Sequence, residues 1–163
     1  MRQPARSLTA SSPEEMRACG ARLAAAICAA GVVQPLVIGL SGDLGAGKTT
    51  LVSGLLGALG HEGPVRSPTY TLIEPYRLAG HDVHHCDLYR LRDPAELEDL
   101  GLRDLMVERS VLLVEWPERA GDRLGVPDLT LHLAYLNDGR SVGVEAVSEQ
   151  GRRVADALRL DPA

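Results

Sequence analysis

The residues best suited to do chemistry stand at positions 42–50, where the sequence reads GDLGAGKTT. Residues 42–49 fit the pattern G-x-x-x-x-G-K-[ST], in which backbone N–H groups wrap a phosphate chain that the glycines allow to come close. Lys48 would reach the β- and γ-phosphates, and the Thr49 hydroxyl would bind Mg²⁺. The predicted nucleotide-binding residues are Gly42, Asp43, Leu44, Gly45, Ala46, Gly47, Lys48, Thr49 and Thr50 in this stretch, and Thr69 further along the chain.

Lys48 is the only lysine in the chain, which otherwise carries 16 arginines. A GC-rich genome replaces lysine with arginine wherever either side chain serves. A lysine kept here indicates a position where arginine would not serve. Lysine is a compact charge on a flexible stem, whereas arginine is a wide planar fork. A phosphate loop needs the compact charge.

Two acidic residues follow apolar segments. Glu115 comes directly after the run Val111–Val114, and ligands of open α/β sheets gather at the carboxyl ends of strands. Glu115 could hold Mg²⁺ opposite Thr49, or it could be a solvated acid at a strand end. Asp87 also falls near the end of a predicted strand, where it could position an attacking water or help to hold the metal.

Three further features have two interpretations each. Thr69 follows a flexible Gly-Pro stretch, so it belongs either to a switch loop that senses the γ-phosphate or to an ordinary turn. Trp116, the only tryptophan, is either a partner contact or a packed ring. The run His84-His85-Cys86 could suggest zinc, but a zinc site usually takes ligands from two separated clusters. We therefore interpret Cys86 as a small buried apolar residue.

The phosphate loop needs a strand before it and a helix after it. The apolar run Leu36–Leu40 predicts the strand, and a helix is predicted from Lys48 to Leu59, ended by Gly60. An earlier helix is predicted from Ser12, with a capping box and Pro13 in its first turn, to Gly31. Further strands are predicted at 71–73, 83–88, 111–114, 129–135 and 141–147, and further helices begin at Asp93 and at about Gly151 (to Leu160).

These elements predict an α/β fold of the P-loop NTPase type. A largely parallel central sheet would carry helices on both faces in a three-layer sandwich, with a late antiparallel hairpin at Asn137-Asp138-Gly139. The chain has 163 residues, 17.4 kDa and 45% apolar residues, which fits one domain, residues 1–163, with its own core.

The bulk properties exclude several classes of protein. The net charge of −5 and the pI of about 5.5 argue against broad nonspecific nucleic-acid binding, which needs a basic face. No signal peptide is apparent, and no apolar run approaches the roughly 20 residues of a membrane span. Three cysteines, an odd number, argue against a disulfide framework. We expect a soluble, cytoplasmic protein.

Five segments in order resemble the TsaE family, also called YjeE, of bacterial ATPases. They are GDLGAGKTT (42–50), SPTYTLIEPY (67–76), HCDLYRL (85–91), ELEDLGLRD (96–104) and LVEWPE (113–118). The resemblance runs from about Ser12 to Val147. It implies a slow ATPase that docks on the TsaD–TsaB pair, in which TsaD transfers the threonylcarbamoyl group to adenosine 37 of tRNAs reading codons that begin with A. Contact with tRNA would be indirect, through that complex.

The resemblance also implies roles for particular residues. Gly45–Thr50 would bind the ATP phosphates, with Lys48 acting in catalysis, and Thr49 and Glu115 would bind Mg²⁺. Asp87 would be required for hydrolysis, and Ser67–Thr69 would form a mobile switch. Trp116 would lie near the site or the partner surface, Ser12–Glu15 would border the adenine, and Arg140 would contact phosphate or partner.

This sequence departs from the family pattern at two positions. Cys86 stands where the family often has Phe, and Met16 where it often has Thr. Two rival functions remain open. One is a small-molecule kinase with Asp87 as base and with Arg90, Arg92 and Arg103 in a lid. The other is a noncatalytic interaction module gated by nucleotide binding.

Overall fold

The computed structural model describes residues 6–78 and 80–158. The strands in these residues are β1 (Ser7–Ala10), β2 (Leu36–Ser41), β3 (Ile73–Leu78), β4 (His81–Asp87), β5 (Ser110–Glu115), β6 (Leu129–Leu136) and β7 (Gly139–Ala146). The helices are α1 (Pro13–Ala29), α2 (Lys48–Ala58), α3 (Glu96–Asp99), α4 (Leu102–Leu105) and α5 (Glu149–Ala157). A 3₁₀ segment covers Pro117–Arg123.

All the strands join one sheet in the order β1-β7-β6-β2-β5-β4-β3. The four central strands, β6, β2, β5 and β4, run parallel, while β3 pairs antiparallel with β4 at one edge. At the other edge β7 pairs antiparallel with β6 and β1. The predicted largely parallel sheet with a late antiparallel hairpin is confirmed.

The two faces of the sheet are covered unequally. The larger core cluster takes residues from α1, α2 and α5, which pack on one face. The smaller cluster, on the other face, is closed by the single turns α3 and α4 and the 3₁₀ segment. The predicted three layers are therefore present. The layer of α1, α2 and α5, with the larger core cluster, holds α2 against the sheet directly after the phosphate loop.

Helix α1 begins as the sequence predicts, because the Ser12 hydroxyl accepts the Glu15 N–H at 3.2 Å and Pro13 follows in the first turn. Its contact with α2 is unusually close. A Cβ on Gly20 would lie 2.0 Å from the Leu51 carbonyl oxygen, and one on Gly54 would lie 2.0 Å from the Arg17 carbonyl oxygen. Glycines at both positions let the two backbones approach, so α1 holds α2 in place.

The structure corrects several predicted boundaries. The predicted strand at 71–73 is wrong, because the Leu72 N–H bonds the Pro68 carbonyl at 2.7 Å and Leu72 is left-handed, with φ of 66°. The chain turns there, and β3 begins only at Ile73. Strand β1 was not predicted, since its four residues pair with β7 residues that lie 130 or more positions later. Strands β4 and β7 and helix α5 begin two residues before their predicted starts, and Arg159 and Leu160 lie outside the described residues.

None of the helices within the described ranges combines the length and the apolar content that a membrane crossing needs. Cys19, Cys28 and Cys86 all lie within the described residues, and none of them forms a disulfide bond. Cys86 lies in the smaller core cluster, and burial raises its pKa to about 12. The interpretation of Cys86 as a buried apolar residue is confirmed.

Candidate functional site

The glycine-rich loop joins the end of β2 to the start of α2, as predicted. Gly45 and Gly47 have φ of 78° and 106°, values that favour glycine. A Cβ on Gly47 would also lie 3.0 Å from Met16 Cε. The loop therefore needs glycine for its backbone conformation and for its fit against α1. It places the N-terminus of α2, with its unpaired N–H groups, where a phosphate could bind.

Lys48 is a buried cation on the first turn of α2. Its Nζ donates to the carbonyl oxygens of Asp43, at 3.0 Å, and Gly42, and it lies 4.2 Å from the centre of the Trp116 ring. Burial lowers the pKa of the ammonium, and nearby carboxylates oppose that shift because they stabilise the charged form. Those carboxylates are Glu115, Asp87, Glu118 and Asp43.

Glu115 ends β5 and is 3% exposed. The Thr49 hydroxyl on α2 lies 3.1 and 3.2 Å from its two carboxylate oxygens and donates to them. His85 Nε2, on β4, lies 2.6 Å from Oε2. The alternative of a solvated strand-end acid is wrong, since Glu115 is buried and held by polar partners. Thr49 and Glu115, the two predicted metal ligands, are thus in direct contact.

Asp87 ends β4 and is also buried, but its partners come from other parts of the chain. The hydroxyls of Ser67 and Thr69 donate to Oδ2, the latter at 3.4 Å. The backbone N–H of Tyr89 donates to Oδ1 at 2.9 Å. Ser67 and Thr69 belong to the segment between α2 and β3, which is the predicted switch. The structure therefore brings the predicted switch to Asp87.

Asp87 and Glu115 are direct partners in the register of the parallel pair β4–β5. Their side chains lie on the same face as α2, at the carboxyl ends of the strands, which is where open α/β sheets place their ligands. A cavity of about 390 Å³ connects both carboxylates with the loop. Its lining is Leu44, Gly45, Gly47, Lys48, Thr49, Thr50, Ser67, Thr69, Asp87, Tyr89, Arg90, Glu115 and Trp116.

A second cavity, of about 300 Å³, lies on the other side of the loop. Its lining is Ala10, Ser11, Ser12, Pro13, Met16, Gly45, Ala46, Gly47, Thr50, Asp138, Gly139 and Arg140. The start of α1 and the β6–β7 turn therefore face each other across the loop. A phosphate chain on the loop could extend into either cavity.

Two predicted candidates have partners within the protein. The Trp116 ring packs at 5.2 Å from the Tyr89 ring and faces the first cavity, so it is partly packed and partly accessible. Arg140 donates to the Gly45 carbonyl oxygen at 3.3 Å and stacks 4.0 Å from the centre of the Tyr135 ring. The Tyr135 hydroxyl donates to the Leu44 carbonyl oxygen at 2.9 Å. The β6–β7 hairpin thus grips the tip of the loop.

Sequence reasoning assigned no role to His85 or Tyr135. His85 could have been found from strand periodicity, because it lies two residues before Asp87 and thus on the same face of β4. Tyr135 carries no such signal, since its contact with Leu44 joins positions 91 residues apart. Of the arginines proposed for a kinase lid, Arg90 lines the first cavity, with its guanidinium 4.7 Å from the centre of the Tyr70 ring.

The run His84-His85-Cys86 does not form part of a cluster of metal-ligating side chains among the described residues. No three His, Cys, Asp or Glu side chains in residues 6–78 and 80–158 are grouped so that they could hold a metal ion. Cys86 lies in the smaller core, whereas His85 reaches Glu115 on the opposite face of β4. The strand alternation thus separates the histidine and the cysteine that suggested zinc.

A largely parallel sheet, a glycine-rich loop and a helix that begins at Lys48 define a P-loop fold. Comparison with known proteins then gives the family. The sequence model of the family described as "Threonylcarbamoyl adenosine biosynthesis protein TsaE" matches residues 10–142. The chain belongs to the TsaE family, whose members are named for tRNA threonylcarbamoyladenosine biosynthesis.

Individual relatives agree with this assignment. The tRNA threonylcarbamoyladenosine biosynthesis protein TsaE of Haemophilus influenzae is 40% identical over 154 residues, which cover 93% of this chain and 98% of the relative. The protein of the same name from Bacillus subtilis is 36% identical over 148 residues, 90% of this chain and 89% of the relative. The crystal structure of Bacillus subtilis YdiB superposes with a TM-score of 0.73 at 28% identity, covering 93% and 92% of the two chains.

Proposed function

We propose that the chain is a Mg²⁺-dependent ATPase that acts on the TsaD–TsaB complex during synthesis of N6-threonylcarbamoyladenosine at tRNA position 37. Membership of the TsaE family supports the pathway. One observation supports the chemistry above all others. Asp87 and Glu115 lie side by side at the ends of two parallel strands and share a cavity with Lys48 and Thr49. That arrangement gives one carboxylate to a metal and one to a water.

The loop suits a triphosphate. Gly45, Gly47 and the first turn of α2 present backbone N–H groups, and Lys48 supplies a buried positive charge beside them. The adenosine would lie in the second cavity, between Ser12 on the α1 side and the β6–β7 turn. Arg140 would act there by holding the Gly45 carbonyl, which shapes the loop.

Thr49 and Glu115 fit Mg²⁺. Both offer hard oxygen atoms, and Mg²⁺ in phosphate sites takes only one or two protein ligands besides phosphate oxygens and waters. A bound Mg²⁺ would neutralise charge on the phosphates during phosphoryl transfer. The chain's own contribution is to keep the Glu115 carboxylate and the Thr49 hydroxyl together at 3.1–3.2 Å.

Asp87 would orient the water that attacks the γ-phosphate, because it lies on the cavity wall one strand away from Glu115. Its bonds to Ser67 and Thr69 tie it to the segment that would sense the γ-phosphate. Hydrolysis would then release that segment. The protein would alternate between two states with different affinity for TsaD–TsaB, and its net charge of −5 argues that tRNA is contacted through that complex.

A reconstitution tests the proposal. Purified TsaD–TsaB, tRNA, threonylcarbamoyl-adenylate and ATP are mixed with the protein, and modified adenosines per complex are counted over many turnovers. We expect sustained turnover with wild type and none beyond the first cycles with Lys48→Ala. Arg153→Ala is the matched control, because it removes an exposed cation on α5, which lines neither cavity. Equal yields with wild type, with Lys48→Ala and without the protein would refute the role in the pathway.

A binding measurement separates catalysis from gating. Affinity for TsaD–TsaB is measured with ATP, with ADP and without nucleotide, and release of phosphate is followed in the complex. We expect the three affinities to differ and phosphate to be released. Three equal affinities would refute the switch. Different affinities without phosphate release would favour a noncatalytic, nucleotide-gated module. If both assays fail, transfer of phosphate from ATP to small hydroxyl compounds tests the kinase alternative.

A further inference from the structure

His85 is a fully buried polar residue to which the proposed chemistry assigns no role. It is 0% exposed, and its Nε2 lies 2.6 Å from Oε2 of Glu115. Burying an imidazole and a carboxylate together is costly unless they pair well. A leucine would fill this position in the core more simply. The pair therefore calls for a reason at the site itself.

The geometry fixes which nitrogen carries the proton. His85 Nδ1 is buried and finds no hydrogen-bond partner among the described residues. A proton on Nδ1 would leave a buried N–H group unsatisfied, and a carboxylate oxygen can only accept. The tautomer with its proton on Nε2 makes the bond to Glu115 and avoids an unpaired donor. His85 is thus a hydrogen-bond donor aimed at one oxygen of Glu115.

Glu115 consequently has donors from two different elements. Thr49 reaches it from α2, and His85 reaches it from β4. The Thr49 hydroxyl belongs to the loop that would bind phosphate and metal, whereas His85 belongs to the sheet and faces away from solvent. A single donor leaves a carboxylate free to rotate about its last bond. Two donors on separate elements fix the plane of the carboxylate.

We infer that His85 is a positioning residue, which holds Glu115 by an Nε2–H···Oε2 bond in the orientation needed for Mg²⁺. This inference rests on the proposed function, because it assigns Glu115 to the metal. Partners that orient a metal-ligating carboxylate typically change metal affinity by 10–100-fold when they are removed. His85 itself would contact neither metal nor nucleotide.

The test compares substitutions that keep or remove the donor. In His85→Gln the side-chain amide can still donate to Oε2, in His85→Asn the amide is too short to reach it, and His85→Leu removes it with little change in volume. His84→Leu is the matched control, because His84 is the neighbouring residue on the opposite face of β4. Thermal unfolding followed by circular dichroism shows which variants are folded.

The readout is metal affinity. Mn²⁺ is titrated into protein saturated with a nonhydrolysable ATP analogue, and free Mn²⁺ is counted by electron paramagnetic resonance. Affinity for the analogue without metal is measured by calorimetry. We expect His85→Leu and His85→Asn to weaken Mn²⁺ binding about 10–100-fold, His85→Gln to stay within about threefold of wild type, and metal-free nucleotide affinity to remain unchanged.

Two results would overturn the inference in distinguishable ways. If wild type binds Mn²⁺ with the analogue and the Leu and Asn variants bind it equally well, His85 only fills space and the proposed function is untouched. If wild type binds no Mn²⁺ with the analogue, the proposed metal site fails and the inference fails with it. Should His85→Leu not fold, the contrast between Asn and Gln decides alone.

Discussion

Glu115 and Asp87 are neighbours in the sheet, yet they are held by different kinds of structure. Both are buried acids on the same face, and they are direct partners in the β4–β5 register. The partners of Glu115 are Thr49 and His85, on a packed helix and a central strand. The partners of Asp87 include Ser67 and Thr69, on the segment that joins α2 to β3.

This difference assigns the two acids different mechanical roles. Donors on regular elements hold Glu115 in place, which suits a ligand for a metal with a strict geometry. Donors on a connecting segment can leave, which suits a group whose contacts change during a catalytic cycle. The two carboxylates lie on neighbouring strands, yet Glu115 is thus the fixed acid of the site and Asp87 the acid whose contacts can change.

The largest expected effect is that of Asp87→Asn. If Asp87 positions the attacking water, the amide should lower kcat for ATP hydrolysis by about 10²–10⁴-fold, because it cannot accept a proton. Affinity for the Mg²⁺–ATP complex should change little, since Glu115 keeps both of its donors. Steady-state phosphate release and calorimetry measure the two quantities. A large loss of metal affinity would show that Asp87, too, belongs to the fixed part of the site.

The counterpart is Glu115→Gln, which keeps the size of the side chain and removes its charge. We expect the Mg²⁺ concentration for half-maximal hydrolysis to rise about tenfold or more, while nucleotide binding without metal persists. The comparison would be contradicted if Glu115→Gln lowered kcat at saturating Mg²⁺ as strongly as Asp87→Asn does. Both acids would then act on the same step.

A third prediction tests the packing of α1 against α2, the helix that carries Thr49 and thus one of the two donors to Glu115. The Cβ in Gly20→Ala would lie 2.0 Å from the Leu51 carbonyl oxygen and 2.7 Å from the Leu55 nitrogen, so α1 and α2 must move apart. We expect the free energy of unfolding to fall by about 3 kcal/mol. Gly57→Ala is the control on α2, because its Cβ would meet nothing within 4 Å. It should be neutral or stabilising by up to about 1 kcal/mol. Urea unfolding measures both, and equal stabilities would refute the close packing.

Gly20 also shows where sequence reasoning ends. The loop, the strand before it and the helix after it could be predicted, because each has a local signal: a motif, an apolar run and a terminating glycine. The contact of Gly20 with Leu51 has none, since it depends on how two helices cross. The sequence also failed to predict strand β1 and the start of β3, because neither has a local signal. Four residues are too few for a periodicity, and the left-handed Leu72 is not a residue type that announces a turn.

The candidate site divides in the same way. Lys48, Thr49, Asp87 and Glu115 could be named from residue type and position at strand ends. Their pairing could not, because the register that sets Asp87 beside Glu115 depends on the order of strands in the sheet. His85 was within reach of strand periodicity. Its partner Glu115 was not, since the two are 30 residues apart.

A smaller effect is expected for Ser67→Ala, which removes one donor from Asp87. Asp87 keeps the Tyr89 N–H, so we expect kcat to change less than tenfold and stability to fall by about 1–2 kcal/mol. Metal affinity should be unchanged. Ser67→Thr, which retains a hydroxyl, should restore most of the stability. A change in metal affinity would show that the segment between α2 and β3 also helps to hold Glu115.

The smallest effect concerns β4, the strand that Asp87 ends. If only the connecting segment moves, β4 must stay paired in the sheet. Labelling of Cys86 tests this, because Cys86 precedes Asp87 on β4 and is fully buried. Burial also raises the pKa of the Cys86 thiol to about 12, so little of the reactive thiolate forms at pH 8. We therefore expect a thiol reagent to label the exposed Cys28 quickly in the folded protein, and Cys86 only at the rate of unfolding. Peptide mapping after timed labelling distinguishes the two cysteines. If nucleotide accelerated labelling of Cys86 without changing global stability, β4 itself would move together with the connecting segment. The mobile element that carries Asp87 would then be β4, and the fixed element that carries Glu115 would be β5.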